Sequence, residues 1–245
     1  MEGDDSVEGY LSSRRQNLGE RTTSEVNGII KLLHAKTGES ILDCPCGYGR
    51  HSIELARRGF QITGVDINSD HLRQAMESAR GLSNVPDFQK LNMLYLDYDS
   101  KFDHVINMFY SFGFFESDEE NERVLQNFYN ALKLGGKFLM HTDVNIPRII
   151  NGKYKTRDTR SLKDGGILTV NDSYDPETHR VVGSWTIKAK GGHETIRRYS
   201  VRVYTKDEFV ELCRKIGFRS CQVFSDWDSN PYSEDSEDMI IVASK

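Results

Sequence analysis

An acidic side chain followed by a glycine-rich turn is the most informative feature of this sequence. Asp43 ends a short apolar run, and Gly47 and Gly49 follow it just before a helical pattern resumes. Glycines in such a turn let the backbone approach a ligand closely. A second acid, Asp66, ends the next apolar run, where a carboxylate can bind both hydroxyls of a ribose. This combination favours a ligand that contains a nucleoside.

Two alternatives use the same turn. NAD is the competing nucleotide, but its G-x-G-x-x-G fingerprint would need a third glycine where Ser52 stands. A plain strand–helix turn that binds nothing is the other alternative. We find no phosphate-binding P-loop motif, and no His/Asp set has the spacing of metal ligands, so metal dependence is not predicted.

Short apolar runs alternate with helical periodicity along most of the chain. This alternation predicts a parallel sheet with helices on both faces, whose strands present a ligand crevice at their carboxyl ends. Capping boxes at Ser117 and Thr205 predict the starts of two helices. Strands are predicted at 40–44, 61–66, 88–91, 102–109, 137–144, 219–224 and 239–243.

The pattern changes after Asn145. Three runs, 167–174, 181–190 and 195–204, alternate apolar with polar residues and are separated by turn signals. They predict an antiparallel β meander inserted after the fifth strand.

The order of four motifs resembles that of the class I S-adenosylmethionine-dependent methyltransferases. The motifs are Leu42-Asp43-x-x-Cys46-Gly47-x-Gly49, Gly64-Val65-Asp66, Phe102-Asp103-His104-Val105-Ile106 and Leu132-Lys133-Leu134-Gly135-Gly136. The resemblance implies an α/β fold with a Rossmann-like, seven-stranded, mostly parallel sheet and an antiparallel last strand. It also implies methyltransferase activity, with S-adenosyl-L-methionine (SAM) as cofactor and S-adenosyl-L-homocysteine as product.

A narrower resemblance points to a bacterial branch that acts on small molecules and carries a β meander after strand five. It depends on the segments 46–51, 111–115 and 230–233. Two residues depart from the family pattern: Pro45 replaces the first glycine of the turn, and Asn92 replaces a frequent aspartate. Asparagine still offers a carbonyl oxygen to the adenine amino group, so we expect cofactor binding to survive.

The resemblance assigns a cofactor-binding set. Asp43, Cys46, Gly47 and Gly49 would surround the methionine part, and Asp66 would bind the ribose. Further members would contact the adenine, close the methionine end, or meet the cofactor carboxylate from an N-terminal lid; these are Ile67, Asn92, Met93, Asn107, Met108 and Arg21.

Methyl transfer from a sulfonium requires mainly that nucleophile, methyl carbon and sulfur be held in line; a base is needed only for a protonated acceptor. The catalytic candidates are His141 and Asp143, which alternate along strand five, and Tyr110 after strand four. The substrate-binding candidates are Tyr10, Asn145, Trp185 and Arg198. For His141 and Trp185, simple packing in or near the core is the alternative role.

The division of the chain follows from these elements. We expect an N-terminal helical lid over 1–37, a SAM-binding core over 38–145, the inserted meander over 146–204 as a substrate cover, and completion of the core by 205–245 with a helix and a terminal β hairpin.

The composition limits the kinds of binding partner that we expect for this chain. With 32 Lys+Arg and 37 Asp+Glu the net charge is −5, which disfavours nucleic acid, and no run is long enough for a membrane span. The acidic N-terminus lacks a signal peptide, and the cysteine spacing suggests free thiols, so we expect a cytoplasmic chain. We expect a small-molecule N- or O-methyltransferase, monomeric or homodimeric. The alternatives are a non-catalytic SAM-binding sensor or partner subunit, or an enzyme acting on protein or RNA.

Overall fold

The structure is a computed structural model that describes residues 18–109, 111–162 and 165–245. Its main layer is a seven-stranded sheet with the order β10-β11-β5-β4-β1-β2-β3. Only β11 runs antiparallel to its neighbours. The strands are β1 Ser40–Asp43, β2 Gln61–Asp66, β3 Asp87–Lys90, β4 Phe102–Asn107, β5 Leu132–Thr142, β10 Ser220–Phe224 and β11 Met239–Ser244. The predicted fold class is confirmed.

Helices cover both faces of this sheet. The helices are α1 Leu18–Leu33, α2 Arg50–Arg57, α3 Ser69–Ser78, α4 Asp118–Ala131, α5 Ile146–Ile150 and α6 Lys206–Ile216, with a 3₁₀ turn at Met93–Tyr95. Alternate strand residues point to opposite sides of the sheet, so Leu139 packs with residues of α1 and α2, whereas Phe138 and Met140 pack with residues of α4 and α6.

Local sequence signals account for most helix boundaries. Ser117 and Thr205 form the two predicted capping boxes, and Gly217 ends α6 in the left-handed conformation. Asn68 caps α3 because its Oδ1 accepts hydrogen bonds from the N–H groups of Asp70, at 2.9 Å, and His71, at 3.3 Å. In the described ranges, no helix is both long and apolar enough to cross a bilayer.

The inserted module is a second, four-stranded antiparallel sheet in the order β6-β7-β8-β9. Its strands are β6 Arg157–Ser161, β7 Ile167–Asp175, β8 Arg180–Lys188 and β9 Glu194–Arg202. The meander and its three predicted strands are confirmed, and a fourth strand, β6, precedes them. β6 is polar and mostly exposed, so it carries no alternation that could reveal it, and it is held by pairing with β7.

The fifth strand differs from its predicted range of 137–144. It begins directly after α4 and contains the Gly135-Gly136 pair, then ends at Thr142. Gly135 has a φ of 80°, and a Cβ at Gly136 would lie 2.8 Å from the Asp103 carbonyl oxygen, so this irregular start needs glycine. Asp143 therefore lies just beyond β5 rather than on it as predicted.

Candidate functional site

The glycine turn after β1 is shaped by two left-handed residues. Gly47 and Gly49 have φ values of 53° and 71°. A Cβ at Gly49 would lie 2.8 Å from the ring of Phe88 and 2.9 Å from Ala75, so glycine is needed there for close packing. At Gly47 a Cβ would meet no atom within 4 Å, so the backbone on that side is accessible to a ligand.

Asp66 links the end of β2 to this turn. Its carboxylate accepts hydrogen bonds from the N–H groups of Gly47, at 2.9 Å, and Asn68, at 2.8 Å. Each carboxylate oxygen can accept more than one hydrogen bond, so Asp66 retains acceptor capacity for hydroxyl groups.

Asp43 is a buried acid with an unused oxygen. Its side chain accepts a hydrogen bond from Ser52 Oγ at 2.6 Å through Oδ2, while Oδ1 has no partner among the described residues. Burial raises the pKa of Asp43 to about 7, against the opposing hydrogen bond from Ser52. An unpaired buried acceptor beside a glycine turn fits a ligand that brings a donor such as an amino group.

The predicted adenine side is open. Ile67, directly after Asp66, is 63% exposed, as a side chain that packs on a ligand ring would be. Asn92 Oδ1 accepts the Leu94 N–H at 3.0 Å and caps the 3₁₀ turn, so only its second lone pair could meet an adenine amino group. Met93 is half-buried.

The predicted methionine end is polar and tightly enclosed. Asn107 is fully buried; its Nδ2 donates to the Cys44 carbonyl at 2.8 Å, and its Oδ1 has no partner among the described residues. Cys46 and Met108 are also buried, and Met108 follows Asn107 directly in sequence. Asp43 and Asn107 thus supply two unpaired buried oxygens at the ends of adjacent strands, and the residues present fit a polar ligand head.

A charged network that the sequence analysis missed joins α1 to α2. The buried Glu25 carboxylate accepts hydrogen bonds from Arg21 Nε at 2.7 Å, from Arg50, and from His51 Nε2 at 3.0 Å. Burial opposes the charge on Glu25, but the hydrogen bonds from His51 and Arg50 lower its pKa to about 2. Burial lowers the pKa of His51 to about 4, so His51 is neutral at pH 7. The helical spacing of apolar residues along α1 does not by itself indicate that the Glu25 side chain faces inward.

Phe109 lies at the centre of this network. The guanidinium carbons of Arg21 and Arg50 lie 4.8 and 4.7 Å from its ring centroid, and the His51 ring stacks at 5.9 Å. The φ of Phe109 is 57°, in the left-handed region, which is uncommon for a bulky residue and turns its ring toward α1 and α2.

A cavity of about 870 Å³ opens between the carboxyl edge of the main sheet, α1 and the inserted sheet. His141 and Asp143, predicted as catalytic residues, and Trp185, predicted as a substrate residue, line this cavity. Arg21, which was predicted to meet the cofactor carboxylate, lines it as well. Tyr199 and Asp238 also line the cavity, and the lining residues that the sequence did not indicate include Glu25, Phe109, Tyr154, Asp172 and Trp227.

His141 is only 1% exposed. Its ring lies 4.9 Å from that of Phe109 and 5.2 Å from that of Trp227, and its Nε2 lies 3.2 Å from Asp238 Oδ1. Asp143 is exposed at the cavity. The two side chains reach one cavity because the chain bends after β5, rather than because they alternate on one strand.

Two predicted substrate residues lie elsewhere. Asn145 is buried and binds structural partners, accepting from Tyr232 Oη at 2.8 Å and donating to the Ser236 carbonyl at 3.0 Å. Arg198 is exposed on β9 and alternates with Tyr199, so it points away from the cavity. Tyr10 and Tyr110 lie outside the described residues.

Comparisons with known proteins agree with this architecture. Residues 41–136 match the family model of a methyltransferase domain. A glycine/sarcosine N-methyltransferase from Aphanothece halophytica is 24% identical over 98% of this chain and 89% of its own length.

Solved structures share the fold. CcbJ methyltransferase from Streptomyces caelestis superposes with a TM-score of 0.77 at 17% identity, over 91% of this chain and 94% of its own. SAM-bound CalS10, an amino pentose methyltransferase from Micromonospora echinaspora, gives 0.72 at 17% identity over 96% of both chains. The family match, together with the glycine turn, the acid at the end of β2 and the antiparallel β11, shows that the chain contains a methyltransferase domain of the class I, S-adenosylmethionine-dependent type.

Proposed function

We propose that the chain methylates a nitrogen or oxygen atom of a small molecule. The observation that carries this proposal is the cavity of about 870 Å³ beside the carboxyl edge of the sheet. Its volume lies in the usual range for small-molecule sites, roughly 300–1,000 Å³. The inserted sheet forms one wall, so a small acceptor would be enclosed rather than lie across an open surface. The similarity to a glycine/sarcosine N-methyltransferase and to an amino pentose methyltransferase supports a small acceptor.

We assign the cofactor to the crevice at the ends of β1, β2 and β4. Bound SAM supplies a methyl group already activated on a sulfonium. Asp43 and Asn107 would receive the polar methionine end, Asp66 the ribose hydroxyls, and Ile67 one adenine face. The remaining members of the proposed set are Cys46, Gly47, Gly49, Asn92, Met93, Met108 and Arg21.

We assign proton handling to the ring of His141. In the neutral form, a His141 Nε2–H that donates to Asp238 leaves Nδ1 unprotonated and able to accept a proton. Nδ1 has no hydrogen-bond partner among the described residues. Asp143, at the same cavity, would orient the acceptor, and Tyr110 remains a proposed contact on the loop after β4.

Release of S-adenosyl-L-homocysteine from SAM tests the proposal. The purified chain is incubated with methyl-labelled SAM and separate pools of amines, alcohols, amino acids, a protein mixture and RNA. Label transferred to a small amine or alcohol supports the proposal. Label transferred only to protein or RNA contradicts it, and so does tight SAM binding without transfer to any pool.

A further inference from the structure

One wall of the cavity holds a carboxylate that is bound by two tyrosine hydroxyls. Asp172 on β7 accepts hydrogen bonds from Tyr154 Oη, at 3.0 Å, and from Tyr199 Oη on β9. Asp172 and Tyr199 both pair with Gly183 on the intervening strand β8. A Cβ at Gly183 would lie 2.5 Å from the Tyr199 hydroxyl oxygen, so the two side chains meet only because this position is glycine.

The charges around the cavity are unevenly compensated. Every basic side chain on its described wall is already paired with a carboxylate. The pairs are Arg21 with Glu25, Arg148 with Glu237, Lys153 with Asp235, and both Lys155 and Arg160 with Asp158.

Three lining carboxylates have no such compensation. Within the described ranges, Asp143 and Asp172 form no ion pair, and Asp238 is paired only with His141. The described wall of the cavity carries six carboxylates against five Lys and Arg side chains, a formal excess of one negative charge, and each of these cations is already paired with a carboxylate. A cationic ligand would be attracted and a carboxylate repelled.

The aromatic rings beside Asp172 add a second attraction for a cation. Trp185 lies next to Tyr199, with ring centroids 5.6 Å apart, and both line the cavity together with Tyr154. Tryptophan and tyrosine faces attract ammonium groups. In addition, His141 lines the same cavity and is only 1% exposed. Its Nδ1 has no hydrogen-bond partner among the described residues and could accept a hydrogen bond from an amine N–H.

We propose that Asp172, flanked by Tyr154, Tyr199 and Trp185, binds the ammonium group of an acceptor that carries no carboxylate. This inference rests on the proposed small-molecule function and narrows it to cationic amines. It separates this chain from a relative named for glycine and sarcosine, since both of those amino acids bring a carboxylate.

Matched acceptor pairs test the inference. Glucosamine and glucose differ by an ammonium group, and glycinamide and glycine differ by a carboxylate. Binding of each is measured by calorimetry in the presence of S-adenosyl-L-homocysteine, and turnover by its release from SAM. We expect glucosamine and glycinamide to bind more tightly than glucose and glycine.

Two variants separate charge from packing. Asp172→Asn keeps the shape but removes the charge, and should weaken amine binding roughly 10- to 100-fold while leaving SAM affinity unchanged. Tyr199→Phe keeps the Asp172 carboxylate and should weaken amine binding by less than about fivefold. Glu194→Gln removes an exposed carboxylate from the start of β9 and should change neither constant.

The inference is overturned if no amine binds more tightly to the wild type than to Asp172→Asn, or if the glycine or glucose member of each pair is preferred. Turnover of glucose or glycine alone would leave the proposed function intact while rejecting this inference. Amine binding that depends on Asp172, without any methyl transfer, would instead support the inference and reject the proposed function.

Discussion

The Asp66 carboxylate accepts a 2.9 Å hydrogen bond from the backbone N–H of Gly47. This contact joins the end of β2 to the glycine turn after β1, so one side chain both shapes the turn and presents acceptor oxygens at the proposed ribose position. Cofactor affinity and turn geometry should therefore depend on the same carboxylate.

Replacement of this carboxylate tests the cofactor site. We expect Asp66→Ala to weaken SAM binding about 100-fold, because hydrogen bonds to a charged group are lost and the turn is released. Calorimetric titration with SAM measures the change. Asp70→Ala, which removes an acid that is paired only with Arg73 on the surface of α3, is the matched control and should bind SAM like the wild type. Equal affinities for all three proteins would reject the assignment of this crevice.

The buried Asp43 lowers the stability of the fold when its carboxylate is ionised. Burial raises the pKa of Asp43 from 3.8 to about 7. The free energy of unfolding therefore falls as the pH rises from about 4 through 7, because the unfolded chain loses this proton first. We expect Asp43→Asn to be more stable than the wild type at pH 8, by roughly 2–4 kcal/mol, and no more stable at pH 4.

Urea denaturation at both pH values measures this effect, and SAM titration of the same variant measures its cost in affinity. Asparagine can still accept the Ser52 hydrogen bond, so the local structure should persist. A variant that is less stable than the wild type at pH 8 would show that the ionised carboxylate is well solvated or paired.

Local sequence patterns were sufficient to predict the strands of the main sheet, whereas β6 and the exact end of β5 depend on the neighbouring strand. The runs that end at Asp43 and Asp66 predicted β1 and β2 because buried parallel strands are apolar throughout. β6 could not be predicted, since Arg157–Ser161 has no apolar pattern and becomes a strand only beside β7. The end of β5 at Thr142 coincides with the last residue pair to β11, Thr142 with Met239, which the local sequence pattern does not show.

The same distinction applies to the site. The glycine turn and its acids were visible because they are close in sequence. Glu25 was not, since its partners Arg50 and His51 lie on another helix and a buried Glu in a helical pattern looks like a surface residue. Tyr154, Asp172 and Tyr199 come from three separate segments and meet only through the register of the inserted sheet.

The network around Glu25 predicts acid sensitivity. Because the pKa of Glu25 is lowered from 4.5 to about 2 in the fold, its contribution of about 3 kcal/mol is complete above pH 4.5 and is lost as the pH falls to 2. The depressed pKa of His51 acts in the same direction between about pH 6.5 and 4, since the unfolded chain gains the proton first. We expect Glu25→Gln to lose about 3 kcal/mol at pH 7 and much less at pH 2.

The free energy of unfolding of both proteins is measured by urea titration at each pH, and titrating groups remote from Glu25 cancel in the difference. His51 does not cancel, because it is hydrogen-bonded to Glu25, so the difference reports on the pair. Glu54→Gln is the control on α2, since its pairs with Arg57 and Arg58 lie near the surface and should contribute less than about 1 kcal/mol. A wild-type-minus-variant difference that does not change with pH would contradict the assigned pKa of Glu25.

The contact between α1 and the catalytic candidate His141 passes through Trp227. A Cβ at Gly28 would lie 2.5 Å from Trp227 Cε3, and Trp227 stacks on His141 at 5.2 Å. We expect Gly28→Ala to displace the indole, to destabilise the fold by about 1–3 kcal/mol despite the better helix propensity of alanine, and to lower kcat roughly tenfold.

Tryptophan fluorescence in a Trp185→Phe background reports on Trp227 alone, since the chain has 2 tryptophans. Its emission should shift to the red as the ring moves toward solvent. Gly19→Ala is the matched control on the same helix, because its Cβ would meet no atom within 4 Å, and it should leave both emission and kcat unchanged. If Gly28→Ala shifts the emission but preserves kcat, the position of Trp227 does not govern the activity of His141.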